Sequence, residues 1–212
     1  NSFTIDAIAW LTFVMILISL YAIFIWVPTE RQMGIVQRIF YFHVPSAWVA
    51  FLAFFVVFVN SILYLLKKER RWDIAAHASA EIGVLYCSLV LITGPIWAKP
   101  TWGTWWTWEP RITTAFVLWF IYVAYLMLRA TSLEPARRAR FAAVLGIIGF
   151  IDVPIVFMAI RWWRTIHPVV FKTTGAELDP SMLQTLMISL AAFTFLYILL
   201  LFTRIGIEKM RD

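Results

Sequence analysis

The chemistry available to this chain sits in two histidines, four closely spaced tryptophans and a few arginines. His43 stands in FHVPSAW at 42–48, His167 in WWRTIH at 162–167, and between them in sequence runs WGTWWTWEPR at 102–111. Four tryptophans in seven residues exceed what anchoring in a membrane interface needs. Trp102, Trp105 and Trp106 would share one face if the segment were helical, but Pro100 and Gly103 favour a short interfacial helix or a bent loop. Either way the rings, with Trp108, offer a platform for a large planar apolar ligand held by stacking. Two imidazoles flanking such a platform match the axial pair of a porphyrin iron, whereas zinc would ask for three or four nitrogen or sulfur ligands. Porphyrin propionates call for guanidinium, which binds carboxylate bidentately. Arg111, beside the platform, is the first candidate, with Arg38, Arg161 and Arg164 as competitors that the sequence does not rank.

These residues need a scaffold, and composition says which kind. The chain has 212 residues, 62% of them hydrophobic and 14% charged, with a mean hydropathy of +0.82. Soluble domains run at roughly 45–50% apolar and about 25% charged, so a water-soluble fold is excluded. At about 20 apolar residues per crossing, six runs qualify: roughly 6–27, 46–66, 77–97, 112–129, 141–160 and 181–203. Each is expected to be a helix, because lipid offers no partner for unpaired backbone and nothing alternates as barrel strands do. The expected fold is an all-α membrane protein, 1–212 forming a single six-span domain with no repeat and no long linker.

Six spans put both termini on one side. Loops two and four with the C-terminal tail carry eleven Lys and Arg, in clusters such as KKERR and ARRAR; loops one, three and five carry seven. The positive-inside rule therefore places the even loops and both termini in the cytoplasm, and the odd loops, with both histidines and the tryptophan-rich stretch, outside. The formal charge of +6 reads as orientation rather than as nucleic-acid binding. The first run lacks the short apolar core and small-residue cleavage site of a signal peptide, and is expected to stay as a span. No GxxxxGK[ST] motif occurs, so work driven by ATP would need a partner subunit.

Other polar residues have plainer readings. Cys87, alone in the chain, excludes a disulfide framework and reads as a small buried hydrophobe. His77 and Glu81 form an i,i+4 pair at the opposite, cytoplasmic end. Pro45 suits the first turn of span two, placing His43 just before that helix. Glu109 with Pro110 reads as the start of span four, with an acid at the positive helix end. Asp152, mid-span and two residues before Pro154, is a functional candidate by its cost, or a partner for backbone freed by the proline.

WGTWWTWEPR resembles the tryptophan-rich signature of the haem-handling (WWD-domain) proteins of cytochrome c biogenesis. FHVPSAW and WWRTIH are similar to the two histidine segments of its six-span members, the haem exporter protein C family. The likeness covers essentially the whole chain, with three motifs in the right order and all in odd loops. It implies that His43 and His167 are the axial ligands of haem b carried as cargo. It further implies that Trp102, Trp105, Trp106 and Trp108 contact the porphyrin, with Glu109 and Arg111 closing the motif. Glu109 departs from the signature, which has Asp there; the charge is kept with one more methylene. The resemblance also implies a bacterial inner-membrane protein that is not an enzyme, working with an ABC-type ATPase and permease, a small single-span subunit and a periplasmic haem chaperone. A rival reading is a membrane b-type cytochrome in quinone-linked electron transfer. Such a protein normally holds haem between histidines on its spans, and here both histidines lie at loop–helix junctions on one side.

Overall fold

The computed structural model describes residues 2–163, 171–172, 175–176 and 178–210. Helix α1 (Ser2–Tyr21) closes with a wider turn at Ala22–Trp26; a 3-10 turn at Ile35–Ile39 leads into α2 (Phe40–Lys67). Then come α3 (Arg70–Trp102), α4 (Pro110–Arg129), α5 (Pro135–Phe150), α6 (Asp152–Trp162) and α7 (Pro180–Met210). A two-residue antiparallel ladder joins β1 (Phe171–Lys172) to β2 (Gly175–Ala176). Among the described residues six helical segments are long and apolar enough to cross a membrane, with α5 and α6 together making the fifth, Pro135–Trp162. All six expected runs are thus helical, and the protein is an all-α membrane protein.

The helices outrun the apolar runs. Helix α2 begins at Phe40, so His43 lies one turn inside it rather than before it, and Pro45 falls in its second turn. The helix can start early because Phe40 and Tyr41 are buried against Trp97 and Leu186, which holds the turn upstream of the proline. Helix α3 starts at Arg70, seven residues before its apolar run, because polar residues there have partners. Arg129 at the end of α4 pairs with Asp73, and Arg204 on α7 donates to both Glu81 oxygens at 2.5 and 3.0 Å and to Glu208 at 2.7 Å. His77 stands 3.5 Å from Glu81, the i,i+4 pair expected for it. Span five breaks at Ile151 because Pro154 has no N–H for the Phe150 carbonyl.

Helix α2 is the hub, packing on α3, α5 and α7, while α1 packs chiefly on α7. Lipid supplies no hydrophobic drive between helices, so close approach at small residues and interhelical hydrogen bonds must hold the bundle. Gly83 lets α3 close on α2: a Cβ there would lie 2.5 Å from Phe54 Cε1. Phe54 in turn stacks on Tyr122 of α4 at 3.7 Å, and the Tyr122 hydroxyl donates to the Gly146 carbonyl of α5 at 3.1 Å. Ser79 donates to the Ala53 carbonyl at 2.8 Å and also meets the Tyr197 hydroxyl at 2.8 Å, joining α2, α3 and α7.

Glu134 caps α5 by accepting from Ala136 N at 3.0 Å and Arg137 N at 2.9 Å. Those two donors favour the ionised carboxyl and hold it below its ordinary value of 4.5. The sign follows: a depressed carboxyl contributes in full above its unfolded pKa and loses the contribution as pH falls through the folded one. Amide hydrogen exchange at Ala136 and Arg137 is therefore expected to lose protection in acid. Glu134→Gln should remove that pH dependence, and an unchanged acid response in the Gln protein contradicts the cap.

Candidate functional site

The candidate site forms where α2 begins, α3 ends and α4 begins. His43, Trp102, Trp105, Trp106 and Arg111 all line one cleft there, between walls of α2, α3 and α4 and with Val156 of α6 at its edge. Residues 59 or more apart in sequence meet because α2 and α3 run antiparallel and the 103–109 segment folds back over the bundle. Helix α3 stops at Gly103, whose φ of 77° is open to glycine at little cost, with its N–H returned to the Lys99 carbonyl at 2.9 Å. Lys99 Nζ donates to the Gly103 carbonyl at 3.0 Å and pins the turn. The segment that follows is not helical, so Trp105 and Trp106 reach the cleft from a bent loop rather than from a shared helix face.

The imidazole of His43 lies against α3, with Nδ1 2.9 Å from Thr93 Oγ1 and its ring 5.9 Å from that of Trp97. Trp97 carries the aromatic surface on to Trp102, 6.0 Å away and tilted by 40°. Trp106 is half-buried, and its indole N–H is buried without a hydrogen-bond acceptor among the described residues. Trp108 stands apart from its three neighbours. It is 72% exposed, is not among the cleft residues, and meets Trp106 and Phe116 edge-on at 5.6 and 6.3 Å.

The arginines can now be ranked among the described residues. Arg111, in the first turn of α4, lines the cleft, whereas Arg38 lies over the Phe24 ring and exposed Arg161 over Phe157. Glu109 has the extended backbone of a helix cap and Pro110 follows it at the first helical position, but its side chain makes no capping hydrogen bond. Asp152 begins α6 with Oδ2 buried and no hydrogen bond to it among the described residues, so the backbone-partner reading finds no support. His167 and Arg164 lie outside the described residues.

Three features at the site escaped the sequence reading, one in the cleft lining and two behind His43. Cys87, expected as a plain buried hydrophobe, is buried but also lines the cleft, its thiol 3.9 Å from the Ala115 carbonyl. Thr93 and Trp97 sit one helical turn apart beneath His43. The i,i+4 spacing was visible; that this face of α3 meets His43 was not.

Residues 2–212 fit the family model described as "Heme exporter protein C". The chain belongs to the haem exporter protein C family. It is 35% identical to "Heme exporter protein C" of Bradyrhizobium diazoefficiens over 93% of this chain and 76% of that one. It is 36% identical to a "Putative cytochrome c biosynthesis ccmC-like mitochondrial protein" of Marchantia polymorpha, over 81% and 74%. With "Heme exporter protein C" of Escherichia coli K12 the identity is 32% over 87% and 73%. Membership of the haem exporter protein C family agrees with the resemblance carried by the three motifs.

Proposed function

We propose that this protein is a haem-handling component of cytochrome c maturation. It binds haem b as cargo in the α2–α3–α4 cleft and presents it for transfer without covalent chemistry of its own. The observation that carries the reading is the convergence in one cleft of an imidazole, three indoles and a guanidinium. Family membership supports it. In this reading His43 is one axial ligand of the iron and His167 the other. Trp102, Trp105 and Trp106 cover the porphyrin, with Trp108 buttressing Trp106 from outside. Arg111 neutralises a propionate, and Glu109, two residues before it, closes the haem-contacting motif.

The density of Lys and Arg in the even loops supports cytoplasmic termini and a cleft facing the periplasm across a bacterial inner membrane. Haem would pass from there to a periplasmic haem chaperone. Partners in the membrane are an ABC-type ATPase and permease and a small single-span subunit. ATP-driven movement of the helices would weaken one set of haem contacts, and a ligand's hold shifts only as far as its contacts differ between the two states.

Haem titration of the purified protein in detergent, followed in the Soret region, tests the assignment. Charge-assisted hydrogen bonds are worth about 1.5–3 kcal/mol, so Arg111→Leu is expected to weaken haem binding roughly 10- to 150-fold, while Arg161→Leu leaves it unchanged. Equal affinities in the Arg111→Leu and unaltered proteins would remove the propionate role.

A further inference from the structure

The geometry points to Thr93 as the positioning residue that fixes the tautomer and ring orientation of His43; this rests on the reading of His43 as an iron ligand. Thr93 Oγ1 has two short polar contacts, one with Leu89 O at 2.7 Å and one with His43 Nδ1 at 2.9 Å. Each needs a hydrogen between its heavy atoms, and a hydroxyl supplies one. The carbonyl of Leu89 has none to give, so the hydroxyl proton must point at it; otherwise two oxygens 2.7 Å apart would face each other with lone pairs. The second hydrogen must then come from the imidazole. His43 is therefore protonated at Nδ1 and donates to Thr93, and its Nε2 carries the lone pair that a metal takes.

The position of Thr93 makes this arrangement stiff. Back-bonding to the carbonyl four residues earlier is a local contact that holds the hydroxyl on its own helix. Thr93 precedes Gly94, a cleft residue over which the ring passes: a Cβ on Gly94 would lie 3.5 Å from His43 Cε1. The ring is thus held by a hydrogen bond at one nitrogen and by Trp97 alongside. Partners of this kind orient metal-binding imidazoles and raise their basicity, and losing one typically costs about 10- to 100-fold in metal affinity.

Two measurements on the full chain in lipid bilayers separate this inference from the reading beneath it. The first is nitrogen-15 NMR of labelled histidine in haem-free protein, with the His43 signals identified by their loss in His43→Ala. The expected result is the Nδ1-protonated tautomer in the unaltered protein and in Thr93→Ser, and a mixture of tautomers in Thr93→Val, which keeps the shape but lacks the hydroxyl. The second is titration with ferric haem b. Affinity is expected to fall about 10- to 100-fold in Thr93→Val and to recover in Thr93→Ser, with a shifted midpoint potential in the Val protein alone. An Nε2-protonated His43 in the unaltered protein overturns the inference, as does unchanged affinity and potential in Thr93→Val where His43→Ala loses haem. Full haem binding by His43→Ala is a different result: it overturns the iron-ligand reading itself, and the role of Thr93 toward iron goes with it.

Discussion

Replacing His43 with alanine is expected to move the Soret and visible bands and to strip most of the haem from the purified protein. The imidazole is the one side chain on α2 that brings a metal-binding nitrogen to the cleft, so nothing nearby on that helix replaces it. The loss should be at least as large as the 10- to 100-fold typical of a missing partner behind a metal ligand. His167→Ala should act alike if two imidazoles share the iron. His77→Ala is the internal control, because His77 sits at the far end of α3 beside Glu81. Spectra of haem-loaded protein, recorded oxidised and reduced, decide the matter. Unchanged spectra in both His43→Ala and His167→Ala would end the paired-imidazole assignment.

The tryptophans should divide by position. A ring contact contributes about 0.5–1.5 kcal/mol beyond burial, so removing Trp102 and Trp106 together is expected to cost roughly 1–3 kcal/mol, a five- to 150-fold weakening. Each of these changed singly to Phe should be mild. Trp108→Ala should retain haem, since that ring is exposed, does not line the cleft and meets Trp106 and Phe116 edge-on. The readout is haem content per protein after purification, with membrane insertion checked alongside. A double mutant that keeps its full haem would show that the rings serve as an interfacial belt.

The six spans were legible because an apolar run of about 20 residues has one stable form in lipid. Their ends were not, because they depend on pairs across the bundle. Arg70 to Asp73 look like loop until Arg129 is seen beside Asp73, and Glu81 looks costly until Arg204 grips both its oxygens. His43 was placed one turn too early for a similar reason: Pro45 suggested a helix start, while burial of Phe40 and Tyr41 carries the helix upstream. The cleft's tryptophans and Arg111 were legible by type and density, and of the two forms expected for their segment, a short interfacial helix or a bent loop, the structure has the bent loop after Gly103. Thr93 was hidden, since a threonine in an apolar helix ordinarily bonds its own backbone. Its second bond, to a residue fifty positions away, exists only once α2 and α3 pack.

The pairing of α1 with α7 bears on how the protein is made. Ribosomal synthesis delivers α1 before α7, yet α7 is its chief neighbour, joined through a buried Ser19–Ser189 hydroxyl contact of 3.0 Å. Until α7 arrives, α1 lacks its chief packing partner. Its residues suit that wait: an 18-residue stretch within Thr4–Trp26 has a mean hydropathy of 2.5, and Thr12 satisfies its hydroxyl on its own helix at Ile8 O. The hub helices α2 and α3, adjacent in sequence, can close on each other as soon as both have emerged. Assembly would then proceed from the middle outward, the cleft taking shape with α4 and α1 docking once α7 is in place.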